Sequence, residues 1–187
     1  NLLEIDGNAL LNKSESKIQI KLNKNYKLLV NVDSTASFNA FDFLEEYNFL
    51  KSGTSKVNIT IEKNNLFHEE WKATLAANLY NNNVYISQVV YEKKKKKQGW
   101  LNAIYHFKKL SLTHVENLTF FTEDILIRGD LILDDKGDIS EIKVKEFQRE
   151  LDNFSANINL EKKDYFTLNV SGKSLNVNNF FSENNNN

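Results

Sequence analysis

The sequence predicts a mainly β fold: a curved antiparallel β-sheet, an open groove or taco-like, of about 11–12 strands with one short amphipathic helix near residues 36–50. Three observations point there. Apolar and polar residues alternate along most of the chain, which places every second side chain on one face of an extended strand. Short Asn-rich or Gly-containing intervals separate the alternating stretches, as hairpin turns do. Only residues 36–50 leave the period of two.

Leu3 and Ile5 begin the alternation, and residues 18–22 and 28–32 continue it on either side of a polar Asn23-Lys24-Asn25 turn. The helix follows: Ala36, Ala40, Phe43, Leu44, Tyr47 and Leu50 fall at three- and four-residue spacing. Asp33, Ser34 and Thr35 can cap its first amides, and Gly53 can end it with a positive φ. Strands are next expected at residues 57–61, 73–79 and 84–91, the last two divided by Asn81-Asn82-Asn83, residues that tolerate left-handed backbone. Residues 101–110 suit either period, and Tyr105 and Phe107 tip them toward strand. Residues 118–121, 125–133, 139–144, 154–160, 166–170 and 175–177 complete the series.

A chain of 187 residues fits one domain, here residues 1–183 as a single β-groove segment with an Asn-rich tail at 184–187. Lys and Arg total 24 against 25 Asp and Glu, so no global charge draws the chain to nucleic acid. Cysteine is absent, which excludes disulfides and thiolate chemistry. The absence of proline beside 28 asparagines reads as codon bias, and that bias produces Asn-x-Ser/Thr sequons at Asn12, Asn58, Asn117, Asn153 and Asn169 without implying glycans. The sequence starts at Asn1, shows no signal peptide and has no apolar run approaching the roughly 18 residues of a membrane span, so it is read as a segment of something longer.

Each candidate site has a plainer explanation. The lysines at 93–97 precede Gly99 and read as a solvated turn, since successive side chains of an extended run point to opposite faces. Asp134-Asp135-Lys136-Gly137-Asp138 lacks the spacing of a calcium loop and reads as a hairpin turn. His68, His106 and His114 show no short metal-pair spacing. No serine sits in a nucleophile-elbow context, and the adjacent pairs Glu69-Glu70 and Glu45-Glu46 point their carboxylates apart. Trp71 and Trp100 stand near strand boundaries, where aromatics commonly close a core. No catalytic residue, metal ligand or cofactor is assigned, and no enzymatic activity is expected.

So many amphipathic strands carry more apolar surface than one helix can cover, so the sheet must close on itself or hold something. A closed core and an open trough share the same alternation. Acyl chains would suit a trough, because moving a CH₂ from bilayer to trough is nearly neutral, whereas burying it from water is worth about 0.8 kcal/mol.

Three stretches resemble the AsmA-like family of bacterial envelope proteins, including its long YhdP-type members and TamB relatives. They are Phe49-Leu50-Lys51-Ser52-Gly53-Thr54 with the strand at 57–61; Ile127-Arg128-Gly129-Asp130-Leu131-Ile132-Leu133-Asp134 with Gly137 and Ile139; and Val170-Ser171-Gly172-Lys173-Ser174-Leu175-Asn176-Val177. The last is similar to the family's Gly, two-residue gap, Leu-Asp-Leu signature, with Asn176 where Asp is usual and Asn178 where Pro is common. The resemblance implies a non-enzymatic periplasmic segment, attached to the inner membrane through an anchor elsewhere, whose β-groove helps carry phospholipid toward the outer membrane of a Gram-negative bacterium. Its partners would be phospholipid acyl chains and neighbouring segments of the same chain. The groove would be lined by Ile59, Ile61, Leu75, Leu79, Ile127, Leu131, Leu133, Ile158, Leu168 and Val170. The competing expectation is a structural or adhesive β module with a closed core and no lipid.

Overall fold

The computed structural model describes residues 3–11, 14–37, 50–86, 91–162 and 165–175, which form one 13-stranded antiparallel sheet. Its strands are β1 (Leu3–Leu11), β2 (Ser14–Leu22), β3 (Leu28–Ser37), β4 (Leu50–Lys63), β5 (Glu70–Asn78), β6 (Asn82–Ile86), β7 (Tyr91–Lys93), β8 (Gly99–Lys108), β9 (Ser111–Thr122), β10 (Ile125–Leu133), β11 (Ile139–Arg149), β12 (Asp152–Lys162) and β13 (Tyr165–Ser174). Most strands pair with their sequence neighbours, in the order β1-β2-β3-β4-β5-β8-β9-β10-β11-β12-β13. The sheet is open, with β1 and β13 as its two edges among the described residues. At about 4.8 Å per strand this path spans roughly 48 Å.

β6 and β7 leave the main path: β6 pairs with the start of β4 and with β7. The 14-residue β4 therefore serves three partners, β6 through residues 50–53, β5 through residues 56–62 and β3 through residues 54–63. Gly53 stands at the changeover with φ of 121°, and a Cβ there would lie 2.2 Å from the carbonyl oxygen of Asn81. Only glycine admits that approach.

The sequence expectations need three adjustments. Residues 84–91 are not one strand, because β6 and β7 pair antiparallel with Tyr85 opposite Glu92; the chain reverses across an interval whose alternation does not announce it. Of the helix expected near residues 36–50, residues 36 and 37 end β3 and residue 50 opens β4, while 38–49 lie outside the described residues, among which there is no helix. The strand expected at 166–170 lies within β13; residue 175 follows it outside any strand, and the rest of the strand expected at 175–177 lies, with the Asn-rich tail, among residues 176–187, outside the described residues. Residues 101–110 do form strand, as β8 through Lys108.

Local chemistry fixes the turns. The Asn23 side-chain oxygen accepts hydrogen bonds from the Asn25 and Lys27 amides at 2.9 Å, and Tyr26 takes φ of 60°. Asp134 does the same for the amides of Lys136 and Asp138, at 2.8 and 3.0 Å, with Gly137 at φ of 88°. That acidic loop spends a carboxylate oxygen on its own backbone, as Asx turns do.

The two halves of the sheet differ in regularity. From β1 through β5 to β8 the register runs unbroken along the main path. Beyond β8, an extra residue interrupts β9 near Glu116 and Asn117, β11 near Lys145 and Glu146, and β13 at Lys173. Each is a β-bulge, which bends the strand and increases its twist. Gly129 and Gly172 lie beside them: a Cβ on Gly129 would meet the Lys143 carbonyl oxygen at 2.2 Å, and one on Gly172 the Asn153 oxygen at 2.5 Å.

Candidate functional site

Pairing register and strand alternation together sort the side chains into two faces. One row of the first face reads Ile5, Ile20, Val30, Ile61, Ala73, Tyr105, Val115, Leu131, Ile142, Ile158 and Leu168, crossing every strand of the main path. Ten aliphatic side chains and one phenol form a continuous apolar strip. The next row, through Ile18, Val32, Ile59, Leu75, Ala103, Gly129, Val144, Ala156 and Val170, is equally free of charge.

The opposite face is polar. The row Glu4, Lys21, Glu62, Lys72, His106, His114, Glu141, Asn159 and Thr167 crosses the same strands, interrupted by Leu29 and Ile132. Ion pairs tie it together, including Lys21–Glu4 at 2.9 Å, Lys72–Glu62 at 3.3 Å and Arg128–Glu146 at 2.8 Å. Such exposed pairs add little stability, but they mark this face as the one turned to water.

Among the described residues, the apolar face is covered at one end. There β6 and β7 contribute Val84 and Tyr91 to a core with Val57, Leu75, Ala77, Leu79, Phe120, Ile125, Phe147 and Phe154. Phe147 stacks on Phe154 with ring centroids 4.7 Å apart, and Tyr91 meets Phe120 edge-on. Polar groups seal this end: the Tyr91 hydroxyl bonds to Thr122 at 2.6 Å, and Ser55 donates to the Asn82 side-chain oxygen at 2.6 Å. Lys93, expected in a solvated loop, is instead 2% exposed and donates to the carbonyl oxygens of Asn82 and Lys94. Burial holds its ammonium below the ordinary lysine pKa, with Glu123 acting weakly against that.

Toward the other end, Ile61, Leu131, Leu133, Ile142 and Ile158 are half-buried and flanked by sheet neighbours, and among the described residues no second layer of strands is paired over them. Tyr105 is the one phenol in the strip, and burial pushes its pKa up to about 12, so it stays protonated.

All ten residues expected to line a groove lie on this apolar face. They are not equivalent. Leu79, 1% exposed, and Leu75 belong to the closed core and present no surface to a ligand. Ile59 and Ile127 pack against that core, whereas Ile61, Leu131, Leu133, Ile158, Leu168 and Val170 lie outside it. Equivalent positions that the sequence reading passed over are Ile20 and Val30, which continue unbroken alternation, and Val115 and Ile142, whose face is hidden from a count of alternation by register shifts on either side of each. Trp71 stacks on Phe107 at 4.0 Å and donates its indole N–H to the Lys109 carbonyl oxygen, while Trp100 is exposed on the polar face. Glu69 pairs with Lys109 at 3.2 Å, and Glu45 and Glu46 lie outside the described residues.

A second cluster sits on the polar face. His106 of β8 is directly opposite His114 of β9, their rings stacked at 3.9 Å, and Glu116 Oε2 lies 3.0 Å from His106 Nε2. Burial, reinforced by the charge of His106, lowers the His114 pKa. Eight residues of sequence separation hid this pair; the signal was the hairpin register.

Comparisons with protein-family models, with curated proteins and with solved structures return no match.

Proposed function

We propose that this chain is a non-enzymatic segment of an AsmA-like periplasmic protein, whose apolar sheet face holds phospholipid acyl chains in transit between inner and outer membrane. One observation carries the reading: an uncharged strip runs across the 11 strands of the main path of an open sheet, with no described strand paired over most of it. A contiguous apolar surface of that width marks a binding surface rather than ordinary exposure. The strip's width of roughly 48 Å accommodates several acyl chains side by side, and neighbouring segments of the same chain would extend it. The membrane anchor would lie outside this sequence.

The alternative, a structural or adhesive β module without lipid, draws on the closed core beneath β6 and β7, which shows that part of the same face is filled by protein. Native mass spectrometry with lipid extraction, on the chain purified from bacterial envelopes without harsh detergent, separates the two. Under the transport reading phospholipid co-purifies, and Leu131→Glu abolishes its binding while the far-ultraviolet circular dichroism of the sheet is kept. A mass free of lipid, or unfolding by Leu131→Glu and by Ile61→Glu alike, sinks the transport reading and favours a filled core.

A further inference from the structure

On the polar face, away from the apolar strip, three side chains that differ in sequence position by up to ten residues converge. His106 and His114 are cross-strand partners, and Glu116 follows on the same face of β9, across from Ile104. One ligand atom from each of the three lies within 4.8 Å of the others. A zinc ion held at about 2.0–2.1 Å from each donor places its ligand atoms roughly 3–4 Å apart. The cluster is therefore within a side-chain adjustment of a chelating arrangement.

The supporting contacts set the chemistry further. The Thr113 hydroxyl donates to the His106 carbonyl oxygen at 2.9 Å, and the hydroxyl oxygen of Thr113 lies 3.3 Å from His114 Nδ1. With its proton committed, that oxygen can only accept, which places the His114 proton on Nδ1 and leaves Nε2 as a free donor atom. Glu116 supplies one anionic oxygen next to His106 Nε2. The cations nearby are committed elsewhere: Lys72, opposite His106, to Glu62, Lys143 to Glu141, and Lys145 to Asp130. The depression lined by His114 and Glu116 also carries the ion-paired Asp130 and Lys143.

We propose that His106, His114 and Glu116 form a binding site for one divalent transition-metal ion of the zinc class, clipping β8 to β9 beside the bulge at Asn117. Two imidazoles and a carboxylate suit zinc, nickel or copper better than magnesium or calcium. Coordination through His106 Nε2 replaces its hydrogen bond to Glu116, the ring proton moving to Nδ1, and leaves the remaining coordination positions to water. The site is independent of the acyl-chain reading, because it uses the other face of the sheet.

The test is a Zn²⁺ titration of the untagged full chain, followed by calorimetry and by ¹H–¹⁵N spectra of the histidine ring nitrogens. One equivalent of Zn²⁺ should shift the ring nitrogens of His106 and His114 while His68, exposed in the turn before β5, stays unchanged. His106→Ala or His114→Ala should weaken binding at least tenfold, and His68→Ala should leave it intact. Ring signals of His106 and His114 that do not move at tenfold excess Zn²⁺ overturn the proposal, as does an affinity equal to wild type in both alanine variants. The spectra need no substitution, so they decide the matter even where a variant fails to fold.

Discussion

The strands before β8 and those after it are built on the same alternation yet behave as different materials. From β1 to β5 the apolar face is made of aliphatic side chains such as Ile18, Ile20, Val30, Val32, Ile59 and Ile61, paired in unbroken register. From β9 to β13 the same face carries Phe120, Phe147 and Phe154, and register shifts interrupt β9, β11, β12 and β13. Regular β-branched ladders make an even sheet, whereas bulges with glycine beside them introduce bends. One half of the molecule is therefore suited to present a surface and the other to curl toward it. Alternation alone specifies which side is greasy; the exceptions to alternation specify shape.

The sharpest way to separate the halves is to remove one side chain from each. Phe147, 4% exposed and stacked on Phe154, anchors the bulged half. Phe147→Ala should cost about 3–5 kcal/mol, as large buried-to-small changes do. Ile20→Ala, at a half-buried position of the even half, should cost about 1–2 kcal/mol because less surface returns to water on unfolding. Chemical denaturation of both variants tests the contrast, and equal losses would mean that the two halves are packed alike.

A gentler comparison uses glycine. Gly129→Ala forces a methyl group against the Lys143 carbonyl oxygen and should destabilise by about 1–3 kcal/mol, the usual cost of overpacking. Gly7→Ala, in β1, meets nothing within 4 Å and should be neutral or slightly stabilising, through lower entropy of the unfolded chain. If thermal melts place the two variants together, close strand approach at the bulge is not what glycine serves.

These contrasts also explain how much the sequence disclosed. The side of each strand was legible, because alternation is a local signal, and so Ile61, Leu131 and Ile158 could be assigned to one face before any pairing was known. What escaped depends on non-local pairing. The β6–β7 reversal lies inside one alternating run, and with it went the burial of Lys93 and the closed setting of Leu79. The His106–His114 pair needed the hairpin register, and the bulges at Asn117 and Lys145 carry no composition of their own. Among the described residues, each miss is a fact about which strand lies beside which.

Asp130 is where the two bulges nearest β10 meet, and it gives the smallest but most specific prediction. Its carboxylate accepts the Asn117 amide at 2.9 Å from the bulge of β9 and the Lys145 ammonium at 2.7 Å from the bulge of β11. Burial alone would raise its pKa, but the hydrogen bonds from Lys145 and Asn117 outweigh it and hold the carboxyl below its ordinary value. A carboxyl depressed in the folded state stabilises fully above its unfolded pKa and loses that contribution as pH falls toward the folded value. Asp130→Asn should therefore cost about 1 kcal/mol at pH 7, and the gap from wild type should close as the pH drops below the carboxylate range. Urea midpoints at pH 7 and pH 3 read this directly. A gap unchanged between the two would show that Asp130 acts through its shape rather than its charge, and the clasp between the bulges would then rest on the amide of Asn117 alone.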